Sequence, residues 1–136
     1  MSPPAAKHLP TSIAPWLSVA NGAKAVDYYQ AAFGAEVVYR LEDPEGAVVA
    51  RLSIEGAEFW LSGGAGGPDG DTLGAAPEAG PIRLILTVSD PDAIQARAIA
   101  AGASEVFAVG EEHGWRLGRI VDPFGHHWEI GRPLEG

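Results

Sequence analysis

From Ser12 to Ala20 the chain alternates: Ile13, Pro15, Leu17 and Val19 fall on one side, and Ala14, Trp16 and Ser18 on the other. A period of two is that of a strand with one buried face, and Pro15 places it near an edge or a strand start. The period then changes. Between Ala23 and Phe33, Val26, Tyr29 and Phe33 recur at helical spacing, with Asn21 in position to cap the helix and Gly34 to end it. Three strand-like runs follow, "AEVVYRL", "AVVARLSI" and "AEFWLS", parted by the turn signals "DPEG" and "EG".

Residues 63–81, "GGAGGPDGDTLGAAPEAGP", have no periodicity. They contain no lysine and lack the strand, Gly-rich turn and helix of a phosphate loop, so they read as a linker. The pattern then restarts. "IRLILTVS" is a strand, and Asp90 is an N-cap with Pro91 at the first helical position. Ile94, Ala98 and Ala101 mark a helical face that Gly102 stops. "SEVFAV", "RLGRIV" and "HWEIG" are three more strands, with "DPFG" turning between the last two. The stretch "SEVFAVGEEHGWRLGR" reads as a mobile lid or as a long hairpin.

The chain is therefore duplicated. Gly34-Ala35 recurs as Gly102-Ala103, 68 positions on, and at the same spacing Val26 recurs as Ile94 and Val38-Tyr39 as Val106-Phe107. The last hairpins match with one more residue, Gly56 with Gly125. Each half reads strand, helix, strand, strand, strand. A four-stranded sheet covered by one helix leaves its other face to be buried. The expected fold is α+β: two βαβββ modules, residues 12–62 and 82–132, curling as one mixed sheet around a shared cavity. Residues 1–11 read as a loose tail, and 12–136 as a single domain.

Composition narrows the partners. The 136 residues are 46% hydrophobic and carry 9 Lys and Arg against 18 Asp and Glu, a formal charge of −9. Such a surface repels phosphate backbones, which argues against nucleic acid; the charge reads first as a device for solubility, and it attracts cationic small molecules only weakly. There is no cysteine, which removes disulfides, thiolate metal sites and thiol nucleophiles together. "MSPPAAKHLPTS" has prolines where an export signal needs an apolar run, and no stretch is long enough to span a bilayer. The expected location is the cytoplasm. No Gly-x-Ser-x-Gly elbow occurs, so a serine hydrolase is a poor reading.

Candidate chemistry concentrates in "VDPFGHHWEI", Val121 to Ile130. Alternation puts His127 and Glu129 on one face of the last strand and Trp128 and Ile130 on the other. Two donors fall short of a stable metal site, which takes three or more. His113, Glu112 or a second subunit would have to supply the rest. His126 lies in the turn and is expected to hydrogen-bond locally.

The duplicated unit, with "DYYQAAFGAE", "AIAAGA" and "DPFGHHWEI" in this order, resembles the glyoxalase / bleomycin-resistance / extradiol-dioxygenase (vicinal oxygen chelate) superfamily over about residues 12 to 132. "PWLSV" with "DPFGHHWEI" resembles its PhnB-like branch. Metalloenzymes of that superfamily place one ligand on the first and last strand of each half. Those positions fall here on Glu129, on Trp60, on Arg83 or Leu84, and on Ala14 or Pro15. No histidine is among them. The resemblance thus implies a metal-free, Trp-rich pocket with no cofactor. A divalent metal held by Glu129, His127 and His113 is the alternative.

In the expected register Trp16 and Trp60 face the cavity with Arg83 and Glu129. A buried Arg83–Glu129 pair is either an ion pair linking the halves where the metal was, or a ligand contact. In the second case Arg83 holds a carboxylate, phosphonate or enolate oxygen, and Glu129 accepts from the ligand or acts as a catalytic base. Trp115, expected in a loop beside Gly114, would complete an aromatic box. Two functions stand. One is metal-independent binding of a small molecule, as in the drug-sequestering resistance proteins. The other is a metal-dependent lyase, isomerase or dioxygenase using Glu129. The resemblance also implies a homodimer.

Overall fold

The computed structural model describes residues 11–65 and 82–134, so the expected tail over residues 1–11, Thr11 excepted, and most of the expected linker lie outside the described residues. The elements in chain order are β1 (Trp16–Val19), α1 (Gly22–Phe33), β2 (Glu36–Glu42), β3 (Val48–Ile54), β4 (Ala57–Gly63), β5 (Leu84–Thr87), α2 (Pro91–Ala100), β6 (Ser104–Glu112), β7 (Trp115–Val121) and β8 (His127–Pro133). Two βαβββ modules result. The strands form two four-stranded mixed sheets, ordered β1-β4-β3-β2 and β5-β8-β7-β6. In each, the first strand runs parallel to the last and the other pairings are antiparallel.

The helices start and stop where local chemistry satisfies their ends. Asn21 accepts from the Lys24 N–H at 3.0 Å, and Asp90 accepts from the Ala93 N–H at 3.1 Å. Gly34, at φ 68°, closes α1 in the left-handed region that a side chain resists. The two helices then meet. Arg97 Nε of α2 donates to the Ala31 carbonyl at 2.7 Å, placing a cation on the carbonyl end of α1. Tyr28 Oη donates to the Ala98 carbonyl at 3.3 Å.

Strand alternation sorts the side chains into two kinds of face. Toward the helices point Leu17 and Val19, Val48, Ala50 and Leu52, Phe59 and Leu61, and in the second module Leu86, Ile120, Trp128 and Ile130. These belong to one core spanning both modules. Trp128 is its joint, with its ring 4.8 Å from Phe33, 5.6 Å from Phe59 and 5.8 Å from Tyr29. Truncating such a side chain costs about 3–5 kcal/mol. The opposite faces, which neither α1 nor α2 covers, are open. Trp16 is 53% exposed there and Ile85 62%. None of the described helices is long and apolar enough to cross a membrane.

"DPFG" proves to be a structural device. The Asp122 carboxylate, 1% exposed, takes four hydrogen bonds. Oδ1 accepts from the backbone N–H of Phe124 at 2.9 Å and of His126 at 3.0 Å, which shapes the turn. Oδ2 accepts from Tyr29 Oη at 2.5 Å and Trp128 Nε1 at 2.8 Å, which ties the turn to α1 and β8. Burial first, and the Asp122 charge second, push the Tyr29 hydroxyl well above the ordinary tyrosine range, and Tyr28 is raised by the same two causes.

Candidate functional site

The strand registers define one row of side chains across each open face. In the first sheet Tyr39 pairs with Arg51, Arg51 with Trp60, and Trp60 with Trp16. In the second Phe107 pairs with Arg119, Arg119 with Glu129, and Glu129 with Ile85. The rows are related residue by residue at the duplication spacing. The strand residues level with Glu129 and Trp60 are therefore Ile85 and Trp16. That corrects the expected positions, Arg83 or Leu84 and Ala14 or Pro15: the edge strands run one or two residues further before pairing.

The first row is an aromatic platform. Trp16 and Trp60 stack with centroids 5.5 Å apart and planes 7° from parallel. Trp16 Nε1 donates to Ser62 Oγ at 2.9 Å, which fixes its tilt. Tyr39 leans on Trp60 at 5.9 Å, and the Arg51 guanidinium carbon lies 5.4 Å over the same indole. The Arg51 Nε stands 3.7 Å from Glu58, beyond hydrogen-bond distance.

The second row is polar. Arg83 Nε lies 4.0 Å from the Glu129 carboxylate, with the side chains 45% and 19% exposed. The pair is therefore neither fully buried nor a link between halves, because both residues belong to the second module. A contact of that length and exposure is worth little. Trp115 is the first residue of β7 rather than a loop residue. With Ile85, Leu117, Gly131 and Glu129 it lines a hollow of about 260 Å³. The stretch from Ser104 to Arg119 is a long hairpin and not a lid, turned at His113 and Gly114, whose φ angles are 51° and 81°.

The expected grouping of Trp16 and Trp60 with Arg83 and Glu129 is thus split between two sheets. What joins the modules on this side is a groove of about 300 Å³ at the edges of β1 and β5, with Trp16 and Pro15 on one wall and Ile82, Leu84 and His127 on the other. His126 closes its end. Its Nε2 lies 2.9 Å from the Ser18 carbonyl, so it bridges modules instead of bonding locally. His127 is 4% exposed, and neither ring nitrogen has a hydrogen-bond partner among the described residues.

The donor set tests the metal. Of the four level positions, Trp16, Trp60, Ile85 and Glu129, only the last can ligate. His113, 87% exposed at the hairpin tip, contacts Glu112 at 3.2 Å and does not join His127 and Glu129. Among the described residues no three His, Asp or Glu side chains converge on one point. A resident divalent ion does not fit these residues.

Reading the sequence alone passed over Arg51 and Arg119, and used Tyr39 and Phe107 only as marks of the duplication. The signal was present: Arg51 and Arg119 are 68 positions apart, as are Tyr39 and Phe107.

Paired βαβββ modules with helices on one side and open sheet faces on the other define a protein of the glyoxalase / bleomycin-resistance / vicinal oxygen chelate superfamily. The glyoxalase-like domain family matches residues 16–131, and the chain belongs to it. A curated relative, an uncharacterized protein of Mycobacterium bovis, is 36% identical over 131 residues, covering 90% of this chain and 84% of its own. Among solved structures, TioX from Micromonospora sp. ML1 is 26% identical with a TM-score of 0.69, covering 92% of this chain and all of its own. The fosfomycin resistance protein FosX of Listeria monocytogenes, solved with Mn(II) and sulfate, shares the fold at 16% identity and a TM-score of 0.66, covering 92% and 93%.

Proposed function

We propose that this protein binds a small organic molecule against its open sheet faces, without a resident metal, as a homodimer whose second copy helps close the chamber. One observation carries the reading: two indoles held parallel on a half-exposed sheet face, one fixed by a hydrogen bond to Ser62. A core does not require that arrangement, and flat ligands bind to it well. The dimer is supported by the apolar groups left uncovered around it, among them Trp16, Ile82 and Ile85, at 53%, 76% and 62% exposure.

Titration of Trp fluorescence in chelator-containing buffer, against a panel of aromatic ligands, tests the reading. A saturable change that Trp16→Leu and Trp60→Leu both abolish is expected. Silence across the panel overturns it. Light scattering at micromolar concentration gives the mass, and a monomer removes the dimer.

The second reading is a lyase, isomerase or dioxygenase with its metal on Glu129. Glu129 is the one side chain of its row able to ligate, so the remaining donors would have to come from outside the described residues. Stoichiometric metal in protein purified without chelator, lost in Glu129→Gln, would establish it in place of the first.

A further inference from the structure

The aromatic row of the first sheet ends at the groove between the modules. In strand order it runs Tyr39 on β2, Arg51 on β3, Trp60 on β4 and Trp16 on β1. Adjacent strands lie about 4.8 Å apart, so side chains of neighbouring strands in the row stand side by side. Trp60 has a neighbour on both hands. Trp16 stacks on it from the β1 side at 5.5 Å, and the Arg51 guanidinium carbon lies 5.4 Å over the ring from the β3 side. A flat ligand finds no free face there. Trp16 is different. Among the described residues no strand of its sheet lies beyond β1, and the indole is 53% exposed. Its outer face is a wall of the groove of about 300 Å³.

The opposite wall comes from the other module. Ile82, 76% exposed, and Leu84 present apolar surface across from Trp16, so the slot exists only because β1 and β5 face each other. Its volume of about 300 Å³ stands at the foot of the roughly 300–1,000 Å³ range of ligand pockets, which leaves room for one fused ring pair. No Asp, Glu, Lys or Arg is among the described residues that line it. An ion seated there would lose water and gain no opposite charge. The polar side chains in the lining are two imidazoles. His126 Nε2 donates to the Ser18 carbonyl at 2.9 Å. His127 makes no such bond among the described residues, so its ring is available to one ligand group. An imidazole offers a donor and, when neutral, an acceptor. A hydroxyl both donates and accepts, and pairs with it in either state.

We infer that the ligand is an uncharged, flat aromatic molecule of one fused ring pair, seated in this groove with its ring between the outer face of Trp16 and Ile82 and Leu84, and with a hydroxyl on His127. This rests on the binding reading above, and moves the seat from the middle of the platform to its end. The seat is prebuilt. Trp60 backs the Trp16 indole and Ser62 holds its nitrogen, so little ordering remains to oppose binding.

Four probes of one shape test the inference by calorimetry on the full chain in chelator-containing buffer: 2-naphthol, naphthalene, 2-naphthoate and 2-naphthylmethylammonium. Naphthol should bind about fivefold tighter than naphthalene, as one net hydrogen bond allows, and both ions at least about tenfold more weakly than naphthol. Ile82→Asp puts a charge on the apolar wall at an exposed position and should weaken naphthol about tenfold. Leu41→Asp makes the same change on β2, the far edge of the first sheet, where the side chain is 57% exposed, and should leave affinity unchanged. His127→Leu should erase the advantage of naphthol over naphthalene. The urea midpoint of each variant shows whether it is folded, and if His127→Leu is not, the comparison of Ile82→Asp with Leu41→Asp decides. Naphthol binding that Trp16→Leu abolishes and Ile82→Asp leaves unchanged overturns the inference and leaves the binding reading standing. So does either ion binding tighter than naphthol, or naphthol binding no tighter than naphthalene. No binding by any probe overturns inference and reading together.

Discussion

Replacing Asp122 by alanine should be among the most damaging single changes in the chain. The carboxylate is 1% exposed and accepts from Tyr29, Trp128, Phe124 and His126 at 2.5–3.0 Å. Its loss strands four donors, each costing about 1–3 kcal/mol if left unpaired. Their plain sum overshoots, because the turn relaxes and water reaches the two backbone groups. The Tyr29 hydroxyl and Trp128 indole are deeper and have no such escape. We therefore expect a loss of about 3–5 kcal/mol, a large share of the roughly 5–15 kcal/mol available to a domain. Asp122→Asn keeps one carbonyl oxygen for part of the set but turns an N–H₂ donor toward the rest, and should cost about 2–3 kcal/mol. Tyr29→Phe removes one donor and should cost about 1.5–3 kcal/mol. Urea unfolding followed by Trp emission measures all three. With an m-value of about 2 kcal/mol/M, the alanine variant's midpoint falls by about 2 M. A fall under about 0.5 M would refute the claim that this carboxylate ties the turn to the core.

Other outcomes follow from the same contacts. Stability should fall above about pH 10. Tyr28 and Tyr29 are raised in the folded state, so the unfolded chain releases protons there that the folded chain retains, and each tyrosine contributes a slope of about 1.4 kcal/mol per pH unit. Alkaline absorbance titration should show both ionising only as the far-ultraviolet circular dichroism is lost. A methyl group at Gly118 would sit 2.7 Å from Gln95 Cδ and displace the amide that donates to the Phe107 carbonyl. Gly118→Ala should thus cost about 1–3 kcal/mol, read as a lowered urea midpoint.

The two modules, their order of elements and the sorting of side chains were legible in the chain, because periods of two and 3.6 residues and the capping residues Asn21, Gly34 and Asp90 are local physics. So was the pairing of His127 with Glu129 on one face and Trp128 with Ile130 on the other. Register between strands was not legible. It depends on where backbone groups meet across a sheet, and the structure moves the level positions to Trp16 and Ile85. The role of Asp122 was hidden for the same reason. Its partner Tyr29 is 93 residues away, and "DPFGHHWEI" alone suggests a metal where the fold builds a hydrogen-bonded corner. Only tertiary structure stacks Trp16 on Trp60 and lays Tyr39 and Arg51 against the same indole, because those contacts form between strands far apart in the chain.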